Sequence, residues 1–251
     1  MKPTTIVSTT FVSAVIAAIV VSLSGPAPAT EPAKLPTTAA AGHPTTDPAD
    51  DPRLGLAAFY DAVRKGDEKA AFDSWYDDCT GADERAGVED LVHHLNAEMI
   101  AAARLEGAVR QMLHDEFENR RKAGELSLTP GREQLLSCRY VIYRRLAICQ
   151  WSDDEDDGFP MVLDNSGKYQ GKPSVWKISM QQWHETTKSS VGDSMLASGW
   201  GVKAKNLTAD EVLSGKYKTF DEVESGCLKH MKEIMEADDA TTRATATAPV
   251  R

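Results

Sequence analysis

Two His–Glu pairs, a run of acids and four cysteines are the side chains here whose type and spacing could do chemistry. His94 with Glu98, and His114 with Glu118, stand four residues apart. On a helix that spacing turns both side chains to one face, which supplies two ligands of a zinc site. Each pair lacks a third ligand. A straight helix would set the pairs about 30 Å apart at 1.5 Å per residue, so they cannot share an ion. A surface or hydrogen-bonded interior histidine is the expected role, and no metal is expected. Asp153, Asp154, Glu155, Asp156 and Asp157 form the densest acid cluster. Oxygen-rich loops attract calcium, but the order departs from an EF-hand and a distal bidentate Glu is absent at the right step. Mutual repulsion favours a solvated hairpin tip.

Other patterns are weaker. Ser174-Val-Trp-Lys177 matches the SxxK of penicillin-recognising enzymes but falls in an expected strand, where that nucleophile needs a helix start. Gly192-Asp-Ser194 lacks the second glycine of a nucleophile elbow. There is neither a P-loop nor a dinucleotide fingerprint, so no cofactor is expected. Cys79, Cys138, Cys149 and Cys227 show no CxxC spacing. An even count permits two disulfides in three possible pairings, and four buried thiols fit equally well. Trp75, Trp176 and Trp183 could line a pocket for an apolar ligand; core packing is the commoner fate of such rings.

These residues need elements to hold them. The first 29 residues read as a signal peptide: Lys2, an apolar run from Phe11 to Leu23, then Ala27-Pro28-Ala29. The run is short for a membrane span of about 20 residues, so cleavage after Ala29 is expected, leaving no span. The processed chain would carry 27 basic against 38 acidic side chains, about −11. That balance opposes general binding to nucleic acid or anionic lipid. Residues 30–52 are rich in Pro, Ala and Thr and read as a disordered tether; 237–251 read as a disordered tail. A single α+β domain is expected over 53–236.

Within it, Asp51 and Pro52 start a helix and Gly66 stops it. Asp67 caps a second helix, expected to carry Trp75. Apolar residues from Val88 to Phe117 recur at three- and four-residue steps, which predicts one long helix over about 83–123. Leu135–Tyr143, Leu146–Trp151, Phe159–Leu163 and Ser174–Trp183 read as three or four antiparallel strands in a curved sheet. Thr208 with Glu211, and Thr219 with Glu222, match the capping box and predict C-terminal helices. Phe220, Val223, Cys227, Met231 and Ile234 then share one face.

FYDAVRKGDEKAAFDSWY resembles the opening helices of the nuclear-transport-factor-2-like superfamily, which includes ketosteroid-isomerase-like and polyketide-cyclase-like proteins. DNSGKYQGKPSVWKISM resembles its late hairpin. The matching pieces cover Leu56–Tyr76 and about Leu146–Met180, and the chain is more similar to exported members of unassigned role than to the named enzymes. The resemblance implies a curved sheet wrapped round a helix, forming a cone with an apolar mouth. Catalytic members place a carboxylate or His in the cone with an aromatic hydroxyl or acid opposite. By that resemblance the base would be Asp61 or Asp73 and the donor Tyr60 or Tyr76. No catalytic motif matches position by position. Asp61 beside Arg64 and Lys65, and Asp73 four residues from Lys69, suit solvated ion pairs as well.

The expectation is an exported, non-catalytic binding or interaction module taking a small apolar ligand or a protein partner. A small isomerase- or cyclase-like enzyme would instead need a buried Asp61 or Asp73 facing a tyrosine in a cavity. A structural module binding through its long helix would need an exposed apolar strip on it.

Overall fold

The computed structural model describes residues 51–126, 128–150, 158–187 and 199–246. The expected leader, nearly all of the tether, the acid cluster and Gly192–Ser194 lie outside the described residues. Asp51 accepts from the backbone N–H of Arg53 at 3.0 Å and starts α1, Pro52–Lys65. Gly66 ends it at φ 69°, a conformation that suits a residue without Cβ. Asp67 accepts from the N–H of Ala70 and caps α2, Glu68–Asp73. Trp75 lies past its end. Trp75–Tyr76 instead form a short strand, β1.

α3 spans Ala82–Met112 and α4 His114–Ala123. The single long helix expected over 83–123 is therefore broken at Leu113, whose φ of −122° and ψ of 42° are not helical. A helix α5, Arg132–Ser137, replaces the first part of the strand expected from Leu135. The strands are β2 (Arg139–Tyr143), β3 (Leu146–Gln150), β4 (Gly158–Asp164) and β5 (Val175–Ser179). Helix α6, Met180–Thr187, takes over where the last strand was expected to reach Trp183. Asp78 accounts for that switch, accepting from Ser179 Oγ at 2.5 Å and from the N–H of Gln181 at 2.9 Å. A carboxylate at these N–H groups stabilises a helix start.

The fold is α+β, as expected, but its sheet has five strands in the order β1-β5-β4-β3-β2 and is mixed. β2 to β5 form an antiparallel meander. β1 pairs parallel to β5, Trp75 opposite Ile178. Two residues joined in parallel leave no local pattern, which is why this strand was not expected.

Helices α7, Trp200–Leu213, and α8, Phe220–Ala246, are the last elements among the described residues. Thr208 sits inside α7 and does not cap it; its hydroxyl donates to the carbonyl of Ala204. Thr219 does cap α8, accepting from the N–H of Glu222. α8 runs well past the boundary expected near Ala237, and Trp200 Nε1 donates to Asp238 at 2.8 Å. No helix of the described residues is long and apolar enough to cross a membrane.

Two hydrophobic clusters share α3. The first packs α1, the sheet, α5 and α6 around its N-terminal half, at Val88, Val92 and Leu95. The second packs α4, α7 and α8 around its C-terminal half, at Leu105, Ala108 and Val109. Close approach within the first cluster depends on Gly55: a Cβ there would lie 2.1 Å from the carbonyl oxygen of Trp176. α1 thus rests directly on the backbone of β5.

Candidate functional site

The concave side of the sheet is filled with aromatic and aliphatic side chains. Trp75 stands edge-on to Phe59 and to Trp183, with ring centres 5.8 and 5.3 Å apart. Tyr60 continues the chain of rings to Phe159 at 6.2 Å. Met161 and Ile178 fill the remaining space with no exposure. Trp75, Trp176, Trp183 and Tyr60 are therefore core residues. Trp75 Nε1 donates to Asn96 Oδ1 at 3.1 Å, which satisfies the indole in the apolar interior.

Tyr76 is half-buried in β1. Neither carboxylate of the enzyme reading enters this core. Asp61 accepts from Arg64 at 3.1 Å and Arg132 at 2.5 Å and stays partly exposed. Asp73 accepts from Lys69 at 2.5 Å on the surface. Both are ion-paired at or near the surface and stand outside the packed core. His94 turns Nδ1 to the carbonyl oxygen of Asp90, while Glu98 is engaged by Lys205, so this pair does not converge on a common ion. Lys177 of the SxxK pattern pairs with Asp164 at 3.2 Å along the sheet.

A cavity among the described residues lies in the other cluster. Leu105 and Val109 of α3 form one wall and Phe117 of α4 closes its end. Phe220, Val223, Cys227 and Met231 of α8 form the opposite wall. Leu126 and Leu128, in the segment after α4, lie over the side. The enclosed space is about 40 Å³, within a hollow of about 640 Å³ when the part open to solvent is counted, and its walls are almost entirely carbon.

Hydrogen bonds at the rim tie these walls to one another. Glu106 accepts from the N–H of Thr129 at 2.9 Å and pins the segment carrying Leu126 and Leu128. The same carboxylate pairs with Arg110, whose guanidinium lies 4.9 Å over the Phe117 ring. Glu116 accepts from the N–H of Phe220 at 2.9 Å, and Arg120 donates to Asp221 at 2.5 Å. α4 is thereby tied to the start of α8. Burial raises the Glu224 carboxyl at the rim above its ordinary range.

Beneath the cavity, Lys205 of α7 donates to Glu98 of α3, and both side chains are nearly fully buried. Gly201 makes room for this pair: a Cβ there would sit 2.6 Å from Glu98 Oε1. Next to α8, Glu211 accepts from Lys216 at 2.6 Å, from the Tyr217 hydroxyl, and from His230 Nε2 at 2.9 Å. These three donors, Lys216 first, lower its carboxyl to about 2. Burial and the bond to Glu211 raise the Tyr217 hydroxyl.

Sequence reasoning found the apolar faces that wall the cavity, Leu105 to Phe117 and Phe220 to Met231. It missed the opening, because an apolar stripe does not say whether its partner fills it. All four cysteines are buried free thiols. No family model matches this chain, and no curated protein or solved structure matches it either.

Proposed function

We propose that the protein is an exported, non-catalytic binding module that takes a small apolar ligand into the cleft between α3, α4 and α8. The observation that carries this reading is an open cleft with carbon walls in a molecule whose sheet-side hollow is packed with side chains. Two of the three charged groups that line it are already engaged, Glu106 by Arg110 and Thr129 and Lys205 by Glu98, and the third, Glu224, stands at the rim. Little is left to read a head group, so the occupant is a hydrocarbon chain or ring held by apolar contact. Asp61 and Asp73 do not line the cleft and have no chemistry in this reading.

Titration with N-phenyl-1-naphthylamine, a neutral apolar fluorophore, tests it. Saturable binding at one site per chain is expected, displaced by medium-chain alkanols. Leu128→Trp, which fills the cleft from a half-buried position, should lose at least tenfold in affinity while keeping the wild-type circular dichroism. Absence of saturable binding, or equal binding by the Trp variant, overturns the reading. The export component stands on Lys2, Phe11–Leu23 and Ala27–Ala29 alone. An intact mass that lacks Met1–Ala29 supports it, and one that retains them opposes it.

A further inference from the structure

We propose that Cys138 and Cys149 are a dithiol pair that closes into a disulfide on exchange with a small-molecule disulfide. The placement comes from strand register. β2 and β3 run antiparallel with Tyr140 opposite Cys149 and Arg139 opposite Gln150. Cys138 precedes β2 and, two residues from Tyr140, shares its face of the sheet. The two cysteines are therefore diagonal neighbours on one face, and their thiols hydrogen-bond to each other. Both are buried in the first hydrophobic cluster, at 6 % and 0 % exposure.

Their surroundings distinguish the two sulfurs. Arg53 donates to the carbonyl oxygens of Leu136 at 2.9 Å and Cys138 at 3.5 Å, which sets its guanidinium beside Cys138. The bond from Cys149, with the Arg53 charge adding to it, lowers the Cys138 thiol. The same bond and burial raise Cys149 well above an ordinary thiol. A thiolate is the attacking species in exchange, and Cys138, which has the Arg53 guanidinium (itself paired with Asp51) beside it and lies at the sheet edge, is assigned as the nucleophile with Cys149 as the resolving thiol. Cys138 also sits where α5 meets β2, the outermost strand of the sheet, so local opening there exposes it without unfolding the centre. Cys79 and Cys227 have no cysteine beside them in this way: Cys79 is surrounded by Asp77, Asp78 and Glu84, and Cys227 lies in the helical cluster.

With oxidised glutathione as the oxidant, Cys138 sulfur forms a bond to one glutathione sulfur and expels the other as a thiolate. Cys149, on losing its proton, then attacks Cys138 sulfur and expels the second glutathione. Two protein thiols are oxidised and one glutathione disulfide is reduced to two thiols. The bridge would join the start of the edge strand to its neighbour and fix α5 against the sheet.

The test equilibrates the folded wild-type chain in glutathione buffers of rising oxidised fraction. Samples are quenched in acid, alkylated and mapped by peptide mass. One bridge is expected, linking the Cys138 peptide to the Cys149 peptide, with a loss of two hydrogens, about 2 Da. Cys79 and Cys227 should remain alkylated, and Cys149→Ser should trap Cys138 as a mixed disulfide with glutathione. Four alkylated cysteines at the most oxidising ratio overturn the proposal, as does a dominant bridge between any other two. This result does not depend on the apolar cleft, because the pair lies in the other cluster.

Discussion

Replacing Lys205 with methionine should cost the fold about 3–5 kcal/mol, the usual effect of stranding one charge of a buried ion pair. The side chains of Lys205 and Glu98 are 2 % and 10 % exposed, so water reaches neither freely. Gly201 of α7 packs against the carboxylate, where a Cβ would clash with it. Methionine keeps the length and volume of the lysine stem, so the loss comes from charge rather than from a cavity. With a urea slope of roughly 2 kcal/mol/M, the midpoint should fall by about 1.5–2.5 M. The double variant Glu98→Met/Lys205→Met removes both charges and should return to within about 1–2 kcal/mol of wild type. Unfolding in urea, followed by tryptophan fluorescence and by far-ultraviolet circular dichroism, gives both numbers. A single variant within about 0.5 M of wild type, or a double variant no better than the single, would refute the reasoning that this pair is buried and interdependent.

Gly55→Ala should destabilise by about 3 kcal/mol, since its Cβ would meet the rigid Trp176 carbonyl and force α1 off β5; thermal unfolding reads this directly. Asp61→Ala and Asp73→Ala, by contrast, remove ion pairs that water already screens and should each change stability by less than about 1 kcal/mol in the same assay. Glu211 predicts an acid effect. Its folded carboxyl, at about 2, lies below the unfolded value of about 4.3. Its contribution is thus complete above about pH 4.3 and disappears as pH falls toward 2. The side chain is 26 % exposed, so screening trims the effect to about 1 kcal/mol. Stability measured from pH 5 to pH 2 should show that much less loss in Glu211→Gln.

Chemistry confined to a few neighbouring residues was legible in the chain. Asp51, Pro52, Gly66 and Asp67 announce α1 and α2 because caps and left-handed stops act within one turn. The meander from Arg139 to Ser179 shows itself through β-rich runs separated by turns. What needed distant partners stayed hidden. The apolar period continues through Leu113 with no Gly or Pro between Ala108 and Ala123, yet the helix breaks at Leu113 and Phe117 turns into the second cluster. β5 ends at Ser179 because Asp78, about a hundred residues earlier, caps the following helix. Nothing local marks Lys205 as buried, because its partner Glu98 stands 107 residues away in the chain. The end of α8 looked like tail, and the Trp200–Asp238 contact that accompanies its helical course joins two helices. The ring-rich segments suggested a lined pocket, but only the three-dimensional packing shows that those rings fill one hollow while a second stands open elsewhere.

The central claim is that ligand enters the helical cleft and not the sheet-side core. Methionine methyl groups report on both at once: Met231 lines the cleft, whereas Met161 and Met180 are buried against the sheet. Carbon-13 methyl spectra recorded while decanol is titrated should show a saturable shift of Met231, with Met161 and Met180 unmoved. A shift of Met161 or Met180, with Met231 unmoved at saturating decanol, would contradict the account.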